Sequence, residues 1–322
     1  MNRLLVASFL VAGLSFLSPS QTRTTKGNAA RDAVARFDGN AAFRQLVRQT
    51  QFGPRSPGSS GHARCLTYLR NELRRYADKV ESQSFAVALP DGKQFELTNL
   101  IASFDTNAST RVLISAHWDT RLWADQDPDK NNRQKPILGA NDGASGVAII
   151  LEIARQLRKS AATIGVELIL FDGEDLGKTG RPETFSSGAK YFATHLQEGF
   201  HAEFGINIDM VGDRYLKIFR EKNSEDLAPQ VQSLVFEAAK TLGVTQFIDS
   251  PGEEITDDHL PLNNAGIPTI DLIDFSYPDD SNKYWHTLAD TPDKCSAESL
   301  DAVGKVIMHI LSSHAPKQPR RP

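Results

Sequence analysis

The sequence predicts an α/β fold: three layers, α/β/α, around a central mixed but mostly parallel sheet. The first observation behind this is a run of short, continuously apolar segments. They are VLIS at 112–115, VELIL at 166–170, FGINI at 204–208 and TIDLI at 269–273. Strands apolar on both faces belong to a parallel sheet covered by helices on both sides. The second observation is that stretches with helical spacing of apolar residues separate these runs, at 147–157, 189–196 and 231–242, with a closing helix at 297–311. The third is a pair of strand-like runs at 80–89 and 95–104, joined by PDG at 90–92. That is a hairpin signal, and it makes the sheet mixed.

The remaining elements follow in order. Arg3 precedes an apolar stretch at 4–17, and small residues follow at 18–20. This layout predicts a cleaved signal peptide over 1–20, since a membrane span needs about 20 apolar residues. Export to a periplasmic or secreted location is therefore expected, without membrane attachment after cleavage. Residues 21–30 are polar and read as disordered, and the basic tail 317–322 as frayed. Helices are predicted over 34–47, with Gly39 a possible break, and over 62–77; the segment GPRSPGSSG at 53–61 must be a loop. The strands should cover 111–116, 166–171, 204–210 and 269–273. No linker divides 31–316, which predicts one catalytic domain. Of 322 residues, 40% are hydrophobic and 24% charged, an ordinary globular balance with ample core. The net charge of −4, with scattered Lys and Arg, argues against nucleic-acid binding. Cys65 and Cys295 are the only cysteines. They could pair in an oxidising compartment, or Cys65 could be a buried thiol on its helix; neither sits in a nucleophile motif.

Five segments place acids or His beside strand ends or helix starts. They are HWD at 117–119, GANDGASG at 139–146, DGED at 172–175, Asp209 closing FGINI, and WHT at 285–287. In open α/β sheets, ligands bind beyond the carboxyl ends of the strands, so these segments can converge on one spot. Several carboxylates held together need a cation to stay ionised. His with Asp or Glu suits Zn²⁺, and a neighbouring carboxylate can then move protons. The adjacent acids Glu174 and Asp175 fit that division, because successive side chains point in different directions. Taken singly, each residue has a plainer reading: Asp142 as a helix cap, His117 and His286 as packed imidazoles. The acids at 125, 127 and 129 are spaced as in calcium loops. Lys130 and Pro136 stand where such a loop needs Gly and Glu, so the segment reads as a polar surface loop.

The ordered set HxD, GxxDGxSG, DGED, a strand-end Asp and WHT resembles the M28 family of zinc metallopeptidases. Within it, PRSPGS at 54–59, DDHLP at 257–261, GIP at 266–268 and WHT resemble the animal-type glutaminyl cyclases. The resemblance implies one zinc ion held by Asp142, Asp175 and His286, with Glu174 as general acid/base. Asp209 and Asp257 would share protons in an acid network, and Trp285, Tyr277 and Thr256 would face the substrate. That substrate would be a peptide or protein with N-terminal glutamine, cyclised to pyroglutamate with loss of ammonia. The chain departs from those relatives in having Asp175 for Glu, Asp271 for His and Thr256 for Gln, and no Trp in the loop 176–187. The rival activity is a two-metal aminopeptidase, in which His117, Asp142 and Asp209 would bind a second zinc. A non-catalytic binding domain would show eroded ligands, and none is eroded.

Overall fold

The structure is a computed structural model that describes residues 37–89, 92–159 and 164–314. The signal peptide expected over 1–20, the polar segment 21–30 and the tail 317–322 lie outside the described residues, as do Pro90 and Asp91 of the hairpin turn. No helix among the described residues is long and apolar enough to cross a membrane.

The described residues open with α1 (Gly39–Thr50) and α2 (Ser60–Arg74). Asp38 caps α1 by accepting from the Ala41 amide, and Ser59 caps α2 by accepting from the His62 amide. Gly39 is the first residue of α1; residues 34–36 of the predicted helix lie outside the described residues. β1 (Lys79–Ala88) and β2 (Gln94–Phe104) form the expected antiparallel hairpin. Then follow β3 (Arg111–His117), α3 (Ala144–Lys159), β4 (Gly165–Phe171), α4 (Ser187–Thr194) and β5 (Phe204–Asp209). β6 (Ile218–Arg220), α5 (Lys222–Leu227), α6 (Pro229–Leu242), β7 (Phe247–Pro251), α7 (His259–Asn264), β8 (Thr269–Ile273) and α8 (Ala297–Ser313) complete the order.

The main sheet has six strands in the order β1-β2-β4-β3-β5-β8. β1, β2 and β4 pair antiparallel; β4, β3, β5 and β8 run parallel. Side-chain alternation divides the core. Val112, Ile114 and Ala116 of β3, with Val166, Leu168 and Leu170 of β4, join the large cluster under α1, α3, α6 and α8. Leu113, Ile169 and Phe171 point the other way, onto Ala189 and Phe192 of α4 and Leu262 of α7. Both faces are thus covered, as the apolar runs predict. From β3 the chain crosses to β4 on one side, then to β5 on the other. β3 is the topological switch point, where α/β sheets open a crevice at their carboxyl ends.

Candidate metal centre and acid cluster

The sheet register builds the site. His117 pairs with Phe171 at the end of β4, so the turn DGED begins beside it. Ser115 pairs with Asn207 of β5, and two residues further the same register sets His117 beside Asp209. His117 Nε2 lies 3.1 Å from Asp209 Oδ1 and 3.1 Å from Asp142 Oδ1. Asp142 arrives from the loop before α3. There Gly143 packs on the imidazole: a Cβ at that position would collide with it. The opposite face of Asp142 meets the loop that carries His286. His286 Nε2 is 3.5 Å from Asp142 Oδ2 and 3.4 Å from Asp175 Oδ1. Two triads therefore share Asp142, and all five side chains are buried: His117, Asp209, Asp142, Asp175 and His286.

Hydrogen bonds fix these groups from behind. Asp119 accepts from the amides of Glu174 (3.1 Å) and Asp175 (3.3 Å), which pins the acid pair. Asp290 accepts from the amides of Asn141 (2.8 Å) and Asp142 (3.2 Å). Arg55 is fully buried and donates to the carbonyls of Trp118, Leu138 and Gly139 (2.7–3.1 Å), tying together the two ends of the connection between β3 and α3. Arg121, also buried, donates to Asp175 Oδ1 at 2.9 Å.

The electrostatics follow from burial. Burial, then the Asp257 charge, raises Glu174 well above the ordinary carboxylate range. Burial, then Asp209, lifts Asp257 to about 7. Burial, then Asp257, holds Asp258 and Asp271 well above that range too. Burial opposes charge on His286, but Asp175 and Asp125 outweigh it and raise its pKa to about 9. Burial likewise opposes charge on His117, but Asp209 and hydrogen bonds to Asp119 and Asp142 raise it well above its usual value. For Asp175 burial is outweighed by His286 and Arg121, and its pKa falls.

A metal fits one triad better than the other. Ligand atoms held about 2.0–2.2 Å from a tetrahedral ion lie about 3.3–3.6 Å apart. The His286 Nε2 separations of 3.4 and 3.5 Å match that spacing. Asp175 Oδ2 is buried without a partner, which leaves one oxygen of this carboxylate unsatisfied. The 3.1 Å separations around His117 are hydrogen-bond distances.

Trp285 is half-buried, stacked on His286 at 3.8 Å and edge-on to Phe275 at 5.0 Å. Thr256 is exposed and lines, with Asp257 and Ser186, a cavity of about 350 Å³. Tyr277 requires a correction. Its side chain is fully buried and its hydroxyl donates to Asp290 at 2.8 Å, so it braces the Asp142 loop from behind instead of facing a substrate. Cys65 and Cys295 are both buried and free. Within the acidic segment at 125–131, Asp127 Oδ1 accepts from the Asp129 amide and from Asn132 Nδ2, while Asp127 Oδ2 accepts from the Leu288 amide. Sequence reading gave no role to Arg121, Asp125 or Asp290. Each acts through tertiary hydrogen bonds that leave no periodic or motif signal.

Fold and site define the class: an α/β protein with a buried His–carboxylate site suited to a metal, at the carboxyl edge of a mostly parallel sheet. The chain belongs to Peptidase family M28, whose model matches residues 99–311. It is 37% identical to a glutaminyl cyclase of Bacteroides thetaiotaomicron, solved bound to N-acetylhistamine, with a TM-score of 0.83 over 87% of this chain and 99% of that one. A Zn-dependent exopeptidase from Parabacteroides distasonis is similar at 36% identity and a TM-score of 0.82, covering 86% and 99%. A glutaminyl-peptide cyclotransferase-like protein of Bos taurus is 23% identical over 81% of this chain and 72% of its own length.

Proposed function

We infer that the chain is a glutaminyl cyclase: an acyltransferase that converts N-terminal glutamine of peptides to pyroglutamate and releases ammonia. The observation that carries this is the Asp142–Asp175–His286 triad with Glu174 beside it, on a fold shared at 37% identity with a glutaminyl cyclase. Asp142, Asp175 and His286 would hold one zinc ion. Bound there, zinc supplies Lewis-acid polarisation of the γ-carbonyl of the glutamine side chain.

The chain's own groups do the rest. The substrate's α-amine nitrogen bonds to the side-chain amide carbon, Cδ, and the bond from that carbon to the amide nitrogen breaks. Glu174 takes the proton from the attacking amine and gives it to the departing nitrogen, which leaves as ammonia. Burial, then the Asp257 charge, raises the Glu174 pKa, which makes its carboxylate a stronger proton acceptor than an exposed one. The Asp209 charge acts on Asp257, and the two would share protons behind Glu174. Trp285 would form a wall that holds the side chain curled toward the amine and keeps water out, an advantage because attack is intramolecular. Thr256, on the neighbouring cavity, would meet the peptide. The catalytic domain would span 31–316, exported by the signal segment 1–20.

The second reading, a two-metal aminopeptidase, rests on the His117–Asp142–Asp209 triad. Mass spectrometry of two peptides separates the readings. A peptide beginning with Gln should lose ammonia, and one beginning with Leu should stay intact. Release of Leu, with the Gln peptide unchanged in mass, would overturn the cyclase.

A further inference from the structure

We propose that residues 121–132 form a clasp that positions His286 as a metal ligand, with Asp125 orienting its imidazole and Arg121 joining that carboxylate to Asp175. The inference rests on the reading of His286 as a ligand given above, and it concerns residues with no place in that reading.

His286 sits in a backbone conformation that needs holding. Its φ is +53°, a region that a residue with a Cβ rarely occupies, in a loop with no strand or helix around it. The segment 121–132 supplies the hold at three consecutive positions. The Gln126 amide donates to the His286 carbonyl at 3.3 Å. Asp127, buried, accepts from the Leu288 amide at 3.1 Å. Asp125 Oδ1 is 3.5 Å from His286 Nδ1, a ring nitrogen that has no hydrogen-bond partner. The nitrogen facing Asp142 and Asp175 is the other one, Nε2. A carboxylate behind a ligating imidazole fixes the tautomer, turns the ring and raises its basicity.

Asp125 is itself fixed. Arg121 grips it with two hydrogen bonds of 2.7 Å, from Nε to Oδ1 and from Nη2 to Oδ2. The remaining guanidinium nitrogen, Nη1, donates to Asp175 Oδ1 at 2.9 Å and to the Gly177 carbonyl at 3.1 Å. Thr179 closes the ring, donating to Asp125 Oδ2 at 2.7 Å. One planar cation thus sets the relative position of two of the three ligands, a geometry that a lysine cannot reproduce. The alternating acids serve this end: Asp127 and Asp129 each accept from an amide two residues on, which shapes the segment so that three neighbours face the His286 loop.

The test measures zinc affinity by competition with a chelating dye, with thermal unfolding of the metal-free protein alongside. Asp125→Ala should weaken zinc binding about 10–100-fold, while unfolding of the metal-free protein moves little. Asp125→Asn, which keeps the shape and one acceptor oxygen, should recover part of the loss. Should the Ala variant fail to fold, the Asn variant carries the same test and should bind zinc more weakly than the parent. Zinc affinity equal to the parent's in the Asn and Ala variants that fold, with or without a lower unfolding temperature, overturns the clasp, because that is a merely structural role. His286→Ala separates this from the reading beneath it. If that change leaves zinc affinity intact, His286 is not a ligand. If it abolishes binding while the Asp125 variants bind normally, the clasp alone fails.

Discussion

The two triads that share Asp142 are built differently. One joins His117 and Asp209, side chains from neighbouring strand ends, where register alone sets the distance. The other joins Asp175, from the turn after β4, to His286, from a loop 13 residues beyond the last strand residue, Ile273. The strand-built triad sits at hydrogen-bond spacing, 3.1 Å from His117 Nε2 to both carboxylates. The loop-built triad stands at 3.4–3.5 Å, the spacing of ligands around an ion. In the first, His117 Nε2 has Asp209 as hydrogen-bond partner, while its Nδ1 is buried without one. The second keeps an unsatisfied carboxylate oxygen and depends on Arg121, Asp125 and Asp290 for its shape. The two triads thus differ by only a few tenths of an ångström in spacing, with every ligand residue present in both.

The largest expected effect tests that contrast. His286→Ala should abolish zinc retention through dialysis and with it cyclisation, whereas His117→Ala should keep zinc near one ion per chain. Elemental analysis of the dialysed proteins reads both. Two tight ions in the parent, falling to one in His117→Ala, would show that both triads hold metal. Glu174→Gln comes next. It keeps shape but removes the titratable carboxylate, so zinc should stay and turnover should fall about 10²–10⁴-fold. Undiminished turnover in the zinc-loaded variant would remove Glu174 from proton transfer.

Much of this was legible in the sequence, for definite reasons. The buried strands showed as continuous apolar runs, and acids placed at their ends marked the crevice. The hairpin and the six longer helices appeared close to their observed limits. α5 and α7 were missed because six residues each carry too little periodicity, and β6 and β7 because three and five residues carry no alternation worth reading. Within the site, residues that touch neighbours across the sheet could be named from motif order. Residues that support them could not: Arg121 and Asp290 act through contacts with segments 54 and 149 positions away. Tyr277 is hard to place from sequence for the same reason, since an aromatic near a site looks alike whether it lines the pocket or backs it.

A third effect isolates what a buried acid does without a cation. Asp274 is buried outside both triads and accepts from the Lys217 and Ser276 amides; burial dominates and raises its pKa to about 7. Its unfolded value is near 3.9. Between these values the folded chain binds the proton and the unfolded chain does not, so stability falls as pH rises from about 4 to about 7. Asp274→Asn should flatten that slope by up to about 1.4 kcal/mol per pH unit, the limit for one proton. Denaturant unfolding of the metal-free protein across that pH range checks it. An unchanged slope would mean that Asp274 is ionised in the fold.

The smallest effect decides whether Tyr277 backs the loop-built triad or touches substrate. Tyr277→Phe keeps the ring and removes only the hydroxyl that donates to Asp290. Asp290 would still accept from the Asn141 and Asp142 amides, so the Asp142 turn should persist, held less tightly. A hydrogen bond to a charged acceptor contributes about 1.5–3 kcal/mol. Asp290, raised to about 7 by burial and then by Asp142, is only partly ionised near neutral pH, so a loss of about 1–2 kcal/mol is expected. Zinc content should remain, and KM for a Gln-initiated peptide should stay within about twofold of the parent value, because a fully buried hydroxyl has no path to the substrate. The opposite pattern, stability unchanged and KM raised tenfold, would place the hydroxyl in the pocket and require this loop to open when substrate binds.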